Sequence, residues 1–145
     1  MDEIKTPLAP EELRVLRNQL ESESPPSAQS QFNYAWGLLR SASPRQVSDG
    51  VTMLEELYRN EPGMRREVLY YLALGSFKQG DYGNARRYTE QLLKIEPDNG
   101  QAKHLLEEIE AKVTKDGLIG LSMGVGALAV GVGILAGVLG GRRKR

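Results

Sequence analysis

Between Gly117 and Gly141 the chain carries no charged residue, reading GLIGLSMGVGALAVGVGILAGVLGG. As a helix, this stretch runs roughly 37 Å at about 1.5 Å per residue. A bilayer's hydrocarbon core is about 30 Å thick, so the segment spans it with length to spare for tilt. Five Leu, two Ile and four Val supply the apolar drive, and nine Gly dilute it. At roughly −0.3 to −0.6 kcal/mol per large apolar side chain, insertion is favourable by on the order of −3 to −7 kcal/mol at best. A chain of 145 residues is too small to enclose such a run in a soluble core. The reading is therefore a single transmembrane helix. Only Arg142, Arg143, Lys144 and Arg145 follow it. That position implies post-translational insertion as a tail anchor, with the preceding body left in the cytosol. The acidic N-terminus MDEIKTPLAPEE lacks the apolar run of a signal peptide and does not fit a transit peptide.

The body has little equipment for chemistry. It lacks cysteine, which removes disulfides and thiolate metal sites, and has one histidine, His104, expected on a solvent-facing helix surface. No metal, cofactor or catalytic constellation is expected. The formal net charge of zero hides an uneven distribution, because the part up to Asp116 keeps 15 basic against 19 acidic side chains, a net of −4. Nucleic acid demands a basic face, so it is not an expected partner.

Periodicity and punctuation give an all-α body. Leu13, Leu16 and Leu20 share a helix face after Pro10, and Ser22 to Ser27 (SESPPS) is a break. Phe32, Ala35, Trp36 and Leu39 form a second stripe. Ser43-Pro44-Arg45-Gln46 reads as a capping box before Val47, Val51, Leu54 and Tyr58. Ser24-Pro25 and Ser43-Pro44 also have the form of phosphorylation sites, although Ser43 is accounted for as a cap. Asn60 to Gly63 (NEPG) ends that helix, Val68 to Phe77 forms the next before Gly80, and Asp81 caps one running through Ala85, Tyr88, Leu92 and Ile95. After the turn at Pro97 to Gly100, Ala102, Leu105, Ile109 and Val113 continue toward the membrane. Six helices and no strand are predicted.

An offset of 35 residues aligns Leu39 with Leu74, Gly50 with Ala85, Leu57 with Leu92, and Glu61-Pro62 with Glu96-Pro97. Gly80, Tyr82, Ala85 and Pro97 have the spacing of a tetratricopeptide repeat, whose period is about 34. Two repeats do not close a core alone, so the first and sixth helices act as caps. The expected organisation is an arm and first capping helix (residues 1–25), a repeat domain with its C-terminal cap (26–116), the membrane span (117–141) and a basic tail (142–145). The fold class is a six-helix, tetratricopeptide-repeat-like superhelical bundle with one C-terminal transmembrane helix.

In such a stack the first helix of each pair lines the concave side. That register assigns Phe32, Ala35, Leu39 and Ala42 to the groove from one repeat, and Glu67, Tyr70, Leu74 and Phe77 from the other, with Trp36 and Tyr71 in the core. An apolar groove suits an amphipathic helix or an extended peptide. The arm Met1 to Pro7 is a candidate removable cover. In the span, Gly120 and Gly124 form one GxxxG, and Gly133, Gly137 and Gly141 two more, spacing that permits close helix packing and self-association in lipid.

The segments SQFNYAWGLLRS (Ser30 to Ser41), GVTMLEELY (Gly50 to Tyr58), RREVLYYLALGSFKQGDYGNARRY (Arg65 to Tyr88) and QAKHLLEEIEAKVTKDGLIG (Gln101 to Gly120) closely resemble the mitochondrial fission 1 protein family. The resemblance implies a tail-anchored adaptor of the mitochondrial outer membrane and peroxisomes, with no enzymatic activity. It implies a concave face, mapped onto Ala35, Leu39, Glu67, Tyr70, Leu74 and Phe77, that binds fission adaptor proteins and helps recruit a dynamin-related GTPase. Residues 1–25 fit the family loosely, and RRKR is more basic than in some members. Two rival readings are a membrane-deforming oligomer acting through the glycine-rich span and a tail-anchored co-chaperone receptor. The second lacks its basic clamp, since Ala35 and Leu39 stand where cationic or amide side chains are needed.

Overall fold

A computed structural model of the chain describes residues 2–116, so the span 117–141, with its GxxxG glycines, and the basic tail lie outside the described residues. The described part is helical, with no strand: α1 (Asp2–Lys5), α2 (Pro10–Glu21), α3 (Ala28–Leu39), α4 (Pro44–Asn60), a 3-10 turn (Pro62–Met64), α5 (Arg65–Lys78), α6 (Tyr82–Ile95) and α7 (Gly100–Asp116). The six expected helices are α2 to α7. The arm adds one short turn, α1, which four residues of mixed polarity did not announce.

Local chemistry explains the boundaries. Pro10 opens α2 where its missing N–H costs nothing, and the Glu12 carboxylate accepts the Ala9 N–H at 3.2 Å. Ser27 caps α3 by accepting from the Ser30 amide at 3.1 Å. Glu23 secures the same corner, accepting the Ser27 N–H at 2.7 Å and the Ser30 hydroxyl at 2.8 Å. These bonds favour its ionised form and hold its carboxyl below the ordinary carboxylate range. Ser43 caps α4, but the expected reciprocal bond runs through a relay. The Ser41 hydroxyl donates to Gln46 Oε1 while its oxygen accepts the Ser43 N–H at 3.0 Å.

The 35-residue repeat reappears as repeated geometry. Glu61 ends α4 with φ −127° and ψ 81°, donating to the Leu57 carbonyl at 2.8 Å. Glu96 ends α6 with φ −131° and ψ 80°, donating to the Leu92 carbonyl at 2.8 Å. Gly80 follows α5 at φ +80°, a left-handed conformation that glycine adopts without a Cβ penalty.

The chain separates into two compact units, residues 1–79 and the part from Gly80 onward. In the first unit α2 packs on α3, α3 on α4, and α4 on α5. Leu39 is the centre of this packing. A Cβ built on Gly50 of α4 lies 3.2 Å from Leu39 Cδ2, and one on Gly75 of α5 lies 2.8 Å from the same methyl. The Lys78 ammonium donates to the carbonyls of Leu39 (2.7 Å) and Ser41 (2.9 Å), supplying partners to the open end of α3. In the second unit α6 and α7 form a hairpin. Ala85, Thr89 and Leu92 are buried on α6, and Ala102, Leu105 and Ile109 on α7, each set at helical spacing. Arg86 and Glu110 join the hairpin at 3.2 Å in a half-exposed ion pair worth at most about 1 kcal/mol. His104 is exposed, as expected.

Glycine at position 75 is a packing requirement. Gly75→Ala places a methyl 2.8 Å from both Leu39 and Val51 side chains, and is expected to destabilise the chain by about 1–3 kcal/mol in chemical denaturation. Gly83→Ala, with nothing within 4 Å of the new methyl, is expected to be neutral or stabilising by up to about 1 kcal/mol.

Candidate functional site

The first unit carries an aromatic cluster built by α3 and α5. Tyr71 is its hub. Phe32 meets it edge-on at a centroid distance of 5.1 Å, Trp36 at 4.9 Å and Tyr70 at 5.4 Å. Such pairs add about 0.5–1.5 kcal/mol each beyond area burial. Phe32 is buried, whereas Trp36, Tyr70 and Tyr71 are each partly exposed. Arg40 stacks toward the Trp36 ring at 5.8 Å.

The predicted groove residues divide. Ala35 and Leu39 are 0% exposed and Leu74 is 2% exposed. These three are core positions, which corrects their assignment to the groove floor. Leu39 is turned into the seam of α4 and α5 described above. Trp36 and Tyr71, expected in the core, instead contribute to the accessible face beside Phe32 and Tyr70. Phe77 is half-buried, and Glu67 and Ala42 are exposed. Phe32, Tyr70 and Phe77 thus stay on the expected face, while Trp36 and Tyr71, one helix position from Ala35 and Tyr70, join it. The α5 sequence could not reveal this, because from Val68 to Ser76 every residue except Tyr70 and Tyr71 is buried. A helix enclosed nearly all round has no periodic stripe from which to read a face.

The arm reaches this site. Arg40 Nε donates to the Glu3 carbonyl at 3.2 Å, and the Leu8 N–H donates to the Arg40 carbonyl at 2.9 Å. Ile4 is only 2% exposed. Leu8 lies 3.4 Å from a Cβ built on Gly37, the small residue at which α3 receives Leu13 and Leu16 of α2. Burial raises the Tyr70 phenol above its ordinary value, with Tyr71 and the Glu3 carboxylate adding to the shift. Tyr71 is raised by burial first, then by Glu3 and Glu67. The Glu3 and Glu67 carboxylates thus act electrostatically on this aromatic face. No cluster of side chains suited to a metal ion occurs among the described residues.

This helix arrangement has known counterparts. The family profile described as the Fis1 N-terminal tetratricopeptide repeat matches residues 29–61, and the Fis1 C-terminal tetratricopeptide repeat matches residues 66–118. The mitochondrial fission 1 protein of Candida albicans is 54% identical over 145 residues, covering 99% of this chain and 94% of the relative. This chain belongs to the mitochondrial fission 1 (Fis1) protein family. Fis1 proteins are tetratricopeptide-like binding adaptors rather than enzymes. Yeast Fis1 crystallised with an Mdv1 fragment containing N-terminal extension and coiled-coil domains superimposes with a TM-score of 0.73 at 40% identity. That match covers 77% of this chain and 89% of the yeast one. Yeast Fis1 complexed with a fragment of Caf4 matches with a TM-score of 0.59 at 41% identity, covering 61% and 93%. The Fis1 resemblance read in the sequence thus spans nearly the whole chain in the Candida relative, while the family profiles begin at residue 29.

The two raised tyrosines predict a pH signature. A folded-state pKa above the ordinary 10.0 means that the native protein retains the proton longer than the unfolded chain. The associated stability is fully present below the unfolded value and is lost as pH rises through the folded one. Phenolate absorbance in a pH titration should show Tyr70 and Tyr71, identified with Y70F and Y71F, ionising above the ordinary phenol value. Glu3→Gln should bring both back toward the ordinary value, and no movement would show that the arm does not lie near them in solution.

Proposed function

We propose that this chain recruits fission machinery to the mitochondrial outer membrane and to peroxisomes by binding a helical segment of an adaptor protein on the face of Phe32, Trp36, Tyr70 and Tyr71. The half-exposed aromatic cluster carries this reading, because partly accessible Trp and Tyr rings in one patch have the composition of an interface hot spot. The carboxylates of Glu3 and Glu67 at its border favour a ligand with an apolar face and basic flanks. Homology supports the partner class, since yeast Fis1 forms complexes with fragments of Mdv1 and of Caf4. A dynamin-related GTPase then arrives through the bound adaptor, and hydrolysis belongs to that partner. Ala35, Leu39 and Leu74 contribute by setting the spacing of α3 and α5, while Phe77 extends the face along α5.

The arm acts as the removable cover in this scheme. It is joined to the site through backbone-directed hydrogen bonds at Arg40 and the buried Ile4 side chain, among other contacts. A partner that contributes a few kcal/mol of its own displaces it or recruits it into the complex. The uncharged span 117–141 tethers the assembly, and its GxxxG spacing suits homo-oligomers that multiply weak contacts.

Binding of an Mdv1-type N-terminal fragment, measured by titration calorimetry, tests the assignment. Trp36→Ala and Tyr70→Ala are each expected to weaken binding by about 2 kcal/mol, more than tenfold, while helix content is kept. Leu39→Ala is expected to act instead on stability, costing about 2–5 kcal/mol. Wild-type affinity in both aromatic variants would move the interface elsewhere. Deleting Met1 to Pro7 should change the affinity, and an unchanged value would dispose of the cover. Replacing residues 117–145 by an unrelated mitochondrial anchor should preserve fission, whereas its loss would favour the rival in which the span itself deforms the membrane.

A further inference from the structure

A cleft of about 510 Å³ lies in the first unit and shares no lining residue with the aromatic cluster. Leu8 and Leu13 give it an apolar wall, and Ser43 and Gln46 stand at the start of α4. Arg14 and Arg17 are the charged residues that line it, and no carboxylate does. This is notable in a body that is acidic up to Asp116. Three positions apart, the two arginines occupy one face of α2. Arg17 spends one of its five N–H donors on the Tyr34 hydroxyl at 3.2 Å. Arg14 is exposed and engaged by no hydrogen bond or ion pair among the described residues.

The acceptor for this cationic pair is in the same cleft. Ser43 is followed directly by Pro44, and its hydroxyl makes only a long 3.4 Å contact as acceptor from the Gln46 amide. We propose that Ser43 is a phosphorylation site for a proline-directed kinase, and that Arg14 and Arg17 receive the phosphate within this cleft. In the transfer, Ser43 Oγ forms a bond to the γ-phosphorus of ATP and the bond to the β-phosphate oxygen breaks. ADP leaves, and the hydroxyl proton passes to the kinase's general base. The product carries about −1.5 to −2 charges and three strong acceptors, suited to guanidinium forks.

Neither alternative serine combines these features. Ser27 caps α3 but precedes Ala28, so it lacks the proline. Ser24 precedes Pro25 but follows Glu23, whose carboxylate already holds Ser27 and Ser30, so a phosphate there meets negative charge. A phosphate on Ser43 bridges from the start of α4 to α2. The cleft wall also includes Pro7 and Leu8, so the bridge tightens the base of the arm.

The test uses the full chain in lipid nanodiscs carrying Ser24→Ala, treated with a cyclin-dependent kinase and MgATP and mapped by mass spectrometry. The same protein with phosphoserine installed at position 43 by genetic encoding is compared with its unmodified form. Modification at Ser43 is expected, with hydrogen exchange at the Gln46 and Val47 amides slowed about tenfold in the phosphorylated form. Arg14→Gln with Arg17→Gln should abolish that protection while leaving the unphosphorylated rates unchanged. Failure of the kinase to modify Ser43, or protection of equal size in the double arginine variant, would overturn the proposal.

Discussion

Leu39 closes the first unit by filling the space that two glycines leave. Its Cδ2 methyl faces Gly50 of α4 and Gly75 of α5, and the Ala35 carbonyl lies 2.9 Å from the position a Cβ on Gly50 would take. Helices approach this closely only where a side chain is missing. Because interiors are packed to crystal-like density, the missing methyls on one side and the leucine on the other are a single design. The separation of α3 and α5 follows from it, and with that separation the edge-on meeting of Phe32, Trp36 and Tyr70 around Tyr71. The aromatic face is a consequence of the core behind it.

Polar groups finish what packing begins. Lys78 reaches from the end of α5 to the last carbonyls of α3, and burial, followed by the nearby Arg40 charge, lowers its pKa. Glu23 does the corresponding work at the other end of α3 by holding Ser27 and Ser30. With both ends of α3 tied, its aromatic residues are presented on a rigid element, which reduces the ordering cost of recognition. The arm is joined to the same helix through bonds at Arg40 and the buried Ile4 side chain.

Helix boundaries were legible because each is written in local chemistry. Pro10, Ser27, Ser43 and Asp81 stand at helix starts, and Glu61 and Glu96 at equivalent ends one repeat apart. The aligned pairs Leu39 and Leu74, Gly50 and Ala85, and Leu57 and Leu92 are all buried, so the repeat register carried real packing information. The exposure of the expected groove residues was legible only in part: Ala35, Leu39 and Leu74 are buried, while Trp36 and Tyr71 are partly exposed.

Composition and spacing by themselves determined that the described residues are helical and paired in a 35-residue period, because caps, breaks and periodicity act within a few residues of one another. Tertiary structure alone decided which side of α5 meets its neighbours, that Glu3 of the arm acts on Tyr70 and Tyr71, and that Arg14 and Arg17 share a cleft with Ser43. Those are relations between residues far apart in the sequence. Their geometry depends on how closely glycine lets one helix approach the next, a distance that no local pattern encodes.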